Sequence, residues 1–190
     1  MYDNEIKTIK DLFYYQYSKV IAKIVYKLDD GKEVMHRHYG LIKSTYRAYK
    51  HSDKSWEDII REHIPLQETE NNCAYCGKNG HQQKLEHLIP ESFNLKPECS
   101  TCGKIHSGLN QVFMCTDCST AKGSLGLYEY YRKLIPDILW FYDYIPKLIE
   151  KKYLENIYYC HECVGTLDKE DLDGDGKLTV MDIDYILRMK

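Results

Sequence analysis

Apolar side chains recur at three- and four-residue intervals over residues 4–28, through Ile6, Ile9, Leu12, Phe13, Tyr17, Val20, Ile21, Ile24, Val25 and Leu28. That period predicts an amphipathic helix, which Asp29, Asp30 and Gly31 should end. A second helical stretch is expected around 34–50, carrying Leu41, Ile42, Tyr46 and Tyr49. Ser55 and Asp58 have capping-box spacing, so a short helix should start there and reach Ile64 before Pro65. From residue 71 to 126 the pattern breaks into short apolar runs, turns and glycines. Helical spacing returns over 127–159, where Pro136 and Pro146 each follow an isoleucine and should begin new helices or kink the run. The expected organisation is a helical module over 1–66, a small core over 71–126, helices over 127–165 and an acidic segment over 166–190.

The chain has 190 residues, 43% of them hydrophobic and 29% charged, a globular balance rather than a disordered one. No run is long and apolar enough for a membrane helix, and the first residues lack the order of a secretory signal, so a cytoplasmic protein without membrane contact is expected. Formal net charge is −3. The acids gather late: from Thr166 onward seven acidic side chains face four basic ones. With no polybasic arm, any nucleic-acid partner has to be held by a local patch, and solvated surface is the default reading for Lys78, Lys84, Lys96, Lys104 and Lys122. The 18 tyrosines concentrate in the flanking helical regions, where packing is the preferred reading over base stacking.

All eight cysteines fall in Cys-x-x-Cys pairs: Cys73 with Cys76, Cys99 with Cys102, Cys115 with Cys118, and Cys160 with Cys163. Two residues between thiolates let one tight turn present both sulfurs to a tetrahedral ion, so zinc is preferred to disulfides. A thioredoxin-like redox pair would need a βαβ pattern that is missing here. His36 and His38 have no acidic or thiol companion and read as ordinary surface or cap histidines.

Between the first and third pairs stand Glu86-His87-Leu88-Ile89-Pro90, then Asn110 five residues before Cys115, then Cys118, Ser119, Lys122 and Gly123. Over roughly a third of the chain this order resembles the HNH endonuclease family. The resemblance implies an α+β fold with a small ββα-metal, treble-clef-like zinc core flanked by helices, and divalent-metal-dependent cleavage of nucleic acid, DNA first. In its terms His87 is the general base, Glu86 the acidic ligand of a catalytic magnesium or manganese ion, and Asn110 the residue that fastens the histidine-bearing loop. Cys73, Cys76, Cys115 and Cys118 become a structural zinc site, too closed to be the catalyst. Where the family has His or Asn as second metal ligand, this chain has Ser119; Asp117 and His106 are substitutes by chemistry alone. Neighbouring residues of a strand point to opposite faces, so Glu86 and His87 can share a site only where the strand bends or ends.

The four pairs can form two four-cysteine sites in three ways. Joining Cys99 and Cys102 to Cys160 and Cys163 gives a second zinc that ties the C-terminal helices to the core; joining them to Cys73 and Cys76 gives a zinc ribbon. The first is preferred, with His161 left out because thiolates already fill the site. Finally, Asp171, Asp173, Asp175, Lys177 (through its carbonyl), Thr179 and Asp182 occupy loop positions 1, 3, 5, 7, 9 and 12, with Gly176 at 6. This resembles an EF-hand loop of the dockerin type and implies calcium as a structural ion. The leading expectation is an HNH-type endonuclease; the competing one is a catalytically inactive zinc module that binds nucleic acid or a protein partner.

Overall fold

Thr8 opens the first helix by accepting a hydrogen bond from the Asp11 amide at 3.2 Å. Helix α1 then runs Ile9–Val25. In the computed structural model, which describes residues 4–27, 35–63, 72–79, 82–90, 93, 110–137 and 141–189 (side chains of 35–37 excepted), α1 is buried on every side. Ile9, Leu12, Phe13, Tyr17 and Val20 are fully enclosed, and so are the polar Gln16 and Ser18. A helix enclosed all round is a core element rather than a surface one. Helix α2 (Met35–Lys50) packs along it. The Ser55–Asp58 capping box forms as expected and starts α3 (Trp56–Arg61). That helix stops at Arg61, short of Ile64, because the chain tightens into a turn in which His63 N donates to Ile60 O.

Strand β1 (Gln83–His87) pairs antiparallel with β2 (Gln111–Cys115), setting Glu86 opposite Val112 and His87 opposite Gln111. Helix α4 (Thr116–Lys122) follows β2 without a loop, so strand, strand and helix form a compact ββα unit. Helix α5 (Leu127–Leu134) ends just before Ile135-Pro136, and after a 3₁₀ turn over Phe141–Tyr144, Pro146 caps α6 (Lys147–Val164). Both prolines therefore break the run where expected. Gly165, with φ of 71°, closes α6, and Thr179 and Asp182 form a capping box at α7 (Val180–Tyr185). Seven α-helices and a two-stranded antiparallel sheet among the described residues make the chain α+β.

One apolar cluster runs from Ile6 to Ile186 and draws on both flanking helical regions and the hairpin. Helix α1 packs against α6 and α7, and its first turn donates to the chain ahead of α7, from Ile9 N to Lys169 O at 2.9 Å and Lys10 N to Leu167 O at 2.8 Å. Most tyrosines are part of this core, with Tyr17, Tyr128 and Tyr153 fully buried. Packing is thus their main role. Among the described residues no helix is long and apolar enough to cross a membrane.

Candidate metal centre and the adjoining hairpin

Cys73 and Cys76 lie on a tight turn that Gly77, at φ 71°, completes by donating to Cys73 O at 2.8 Å. A side chain at that φ would be strained, so the turn needs glycine. Cys115 ends β2 and Cys118 lies in the first turn of α4, which brings the second pair opposite the first. All four sulfurs lie within 4.8 Å of one another. Cys76 Sγ and Cys115 Sγ are 3.9 Å apart, too far for a disulfide and close to the ~3.8 Å edge of a tetrahedron with Zn–S bonds of about 2.3 Å. The group can therefore hold a metal such as zinc.

Burial pushes the Cys73 thiol up, but the backbone amides of Cys115, Cys76 and Tyr75 more than offset it and bring its pKa to about 7. Burial raises Cys118, opposed by a hydrogen bond with the Tyr130 hydroxyl. Such outer contacts orient thiolates on an ion.

Beside this centre, Asn110 clamps the end of β1. Its Oδ1 accepts from Ile89 N at 2.8 Å and its Nδ2 donates to Ile89 O at 2.9 Å, while its carbonyl accepts from Leu88 N at 2.8 Å. On one face of the hairpin, the Ser119 hydroxyl donates to Glu86 Oε1 at 2.8 Å. Lys122, one helical turn beyond Ser119 and 3% exposed, adds positive charge to this face. Burial lowers its pKa to about 8, opposed by the negative charges of Asp184 and Glu86. Strand alternation sends His87 to the other face, where Gln111 Nε2 lies 3.0 Å from His87 Nε2. Lys152 Nζ from α6 donates to Gln111 O at 2.8 Å. His87 is the last residue of β1 and is followed by a bend at Leu88 and Ile89.

The residues expected around a catalytic cation are thus brought together in part. Glu86 meets Ser119, but Glu86 belongs to no group of three or more His, Cys, Asp or Glu side chains that could hold a metal among the described residues. A magnesium-type ion fits such a sparse donor set only by completing its shell with water and substrate phosphate oxygens. Asp117 is exposed on α4.

In the acidic segment the carboxylates of Asp171, Asp173 and Asp175 converge within 4.8 Å. Gly174 N and Gly176 N both donate to Asp171, at 2.7 and 2.8 Å, with Gly176 at φ 81°. Asp182 is not part of that group. It accepts instead from the amides of Leu172, Asp173 and Thr179. Lys177 is exposed, and the Thr179 side chain accepts from Met181 N at 3.1 Å.

Cys99, Cys102 and His106 lie outside the described residues, and so does the side chain of His36. Cys160 is buried on α6 and Cys163 half-buried one turn on. His161 is enclosed, with Nε2 donating to Ile183 O at 3.0 Å and Nδ1 against Thr166 Oγ1 at 2.8 Å, as befits a core histidine. His38 stacks on Tyr26 with ring centres 4.0 Å apart. Sequence reasoning missed Gln111, Lys152, Tyr130 and Asp184. Only Gln111 had a signal, its position directly after Asn110; the other three act across distances that local spacing does not reveal. Comparison with protein-family models, with curated proteins and with solved structures finds no match to this chain.

Proposed function

We propose that the chain is an HNH-type endonuclease that hydrolyses phosphodiester bonds of nucleic acid, DNA first. The observation that carries this reading is the 2.8 Å hydrogen bond between Ser119 and Glu86. It joins the residue after the last cysteine of the centre to the residue before the histidine, the two positions that the resemblance assigns to one cation. Asn110 supports it by fastening the backbone just after His87; because strand alternation puts His87 on the face opposite Glu86, the reading requires the ring to turn around the strand end, which β1 reaches at His87.

In this reading zinc fills the four-cysteine centre and clamps β2 and α4 to the knuckle. Glu86 and Ser119 would hold a magnesium or manganese ion, which would supply positive charge for the reacting phosphate and its leaving oxygen. His87 takes a proton from a water as that water's oxygen bonds to phosphorus; the bond from phosphorus to the leaving oxygen breaks, and that oxygen gains a proton from solvent. Calcium is the ion we assign to the Asp171–Asp175 loop. A reducing compartment, the cytoplasm, suits eight cysteines in metal-type spacing.

The competing reading, a zinc module that binds without cutting, is favoured by one observation: Glu86 belongs to no group of three or more His, Cys, Asp or Glu side chains among the described residues. Plasmid nicking with zinc-loaded protein and added Mg²⁺ or Mn²⁺ separates the two. Activity that needs the added ion and falls by a factor of about 10² or more in His87→Ala supports the enzyme. An inert wild-type protein, or a His87→Ala variant that nicks at the same rate, removes it and leaves the binding module.

A further inference from the structure

The β1–β2 register sets Gln111 directly opposite His87, and the two side chains meet nitrogen to nitrogen at 3.0 Å. Gln111 itself is pinned from both sides. Asn110 before it is locked to Ile89 by two side-chain hydrogen bonds, and its own carbonyl is held by Lys152 from α6. An amide nitrogen only donates. For this contact to be a hydrogen bond the imidazole nitrogen has to accept, with the lone pair on Nε2 and the ring proton on Nδ1.

We propose that Gln111 is a positioning residue for His87: its side-chain amide selects the Nδ1–H tautomer and holds the ring with its Nε2 lone pair directed at the Gln111 amide. The inference rests on the nuclease reading for its functional meaning, because a general base must offer a lone pair of fixed direction. Gln111 keeps that lone pair aligned until the attacking water takes the place of the amide. A histidine free in water prefers the opposite tautomer, so the contact leaves a signature that a merely structural side chain would not.

The test is the ¹⁵N spectrum of the His87 ring, assigned by its loss in His87→Gln and followed along a pH series to the alkaline plateau at which its shifts stop changing. Wild type should show mainly Nδ1–H. Gln111→Ala should drift toward the free-solution preference, and Gln111→Glu, whose carboxylate only accepts, should swing the ring to Nε2–H. Where the wild type nicks DNA, Gln111→Ala should lower kcat about tenfold with KM little changed, about 1.4 kcal/mol on the barrier. A wild-type ring that is mainly Nε2–H, or a tautomer ratio that ignores both substitutions, overturns the proposal. A protein that never nicks while its ring behaves as described overturns the nuclease reading alone.

Discussion

Ser119 is the residue at which the chain departs from the pattern it resembles, and its 2.8 Å contact with Glu86 gives the departure a physical meaning. A hydroxyl is a weak donor to a hard cation, and here its proton is directed at the carboxylate that would hold the ion. Lys122 adds a buried ammonium whose field also acts on Glu86. Both features weaken cation binding at this point. Asn at position 119 offers a carbonyl oxygen, the donor type that hard cations take. Ser119→Asn should therefore lower the Mn²⁺ concentration for half-maximal nicking by about tenfold, worth about 1.4 kcal/mol. A metal titration of the two proteins that gives coincident curves would show that residue 119 does not face the ion.

At the scale of elements, the ββα unit is too small to stand without help. Its strands have five residues each, and an isolated two-stranded hairpin is marginal in water. The four cysteines bring the knuckle, the end of β2 and the start of α4 to one point, so once a metal is held there its removal should melt this unit. Structural zinc contributes on the order of 10 kcal/mol in small modules. Stripping zinc with a strong chelator, or Cys118→Ser, should therefore abolish amide protection over 72–79, 83–87 and 111–122 while the helical signal of α1 and α6 persists. Protection that survives metal removal would mean the hairpin is held by packing alone. Local chemistry explains which elements were legible beforehand. Ser55–Asp58 and Pro146 announce helix starts, Gly77 and the Cys-x-x-Cys spacing announce the knuckle, and the role of Asn110 at the hairpin end came only from the resemblance. The His87–Gln111 pairing was not legible, because a register between segments more than twenty residues apart is fixed by three-dimensional closure. Nor was the fit at Gly126, where an added Cβ would lie 2.2 Å from Asp184 Oδ2. There Asp184 of α7 accepts from Glu129 N at 2.8 Å and from Tyr153 OH at 2.7 Å.

Across the whole molecule, α1 packs against α2, α6 and α7, and it brings two lysines into the core. Lys19 Nζ meets Asp143 Oδ1 at 2.5 Å and lies 4.1 Å from the centre of the Tyr142 ring. Lys23 Nζ meets Glu150 Oε2 at 3.0 Å and Ile145 O at 3.2 Å, and Tyr128 OH donates to the other Glu150 oxygen. Burial lowers the Lys19 pKa and raises that of Glu150, each opposed by the charge of its partner. These pairs join α1 to the 3₁₀ turn and to α6, the helix that also sends Lys152 to Gln111. They specify how the N- and C-terminal helices meet, at a desolvation cost that an apolar pair would avoid. Lys19→Met leaves Asp143 buried without its cation and should destabilise the fold by about 3–5 kcal/mol, whereas Lys19→Met with Asp143→Leu should recover most of that loss. Urea unfolding of the three proteins measures both, with Glu57→Gln as a reference: its exposed pair with Arg61 should be worth about 0.5 kcal/mol or less. If Lys19→Met costs no more than that reference, the buried pair is not what fixes α1 against the C-terminal helices, and the apolar contacts of Phe13, Tyr17 and Val20 carry the join alone.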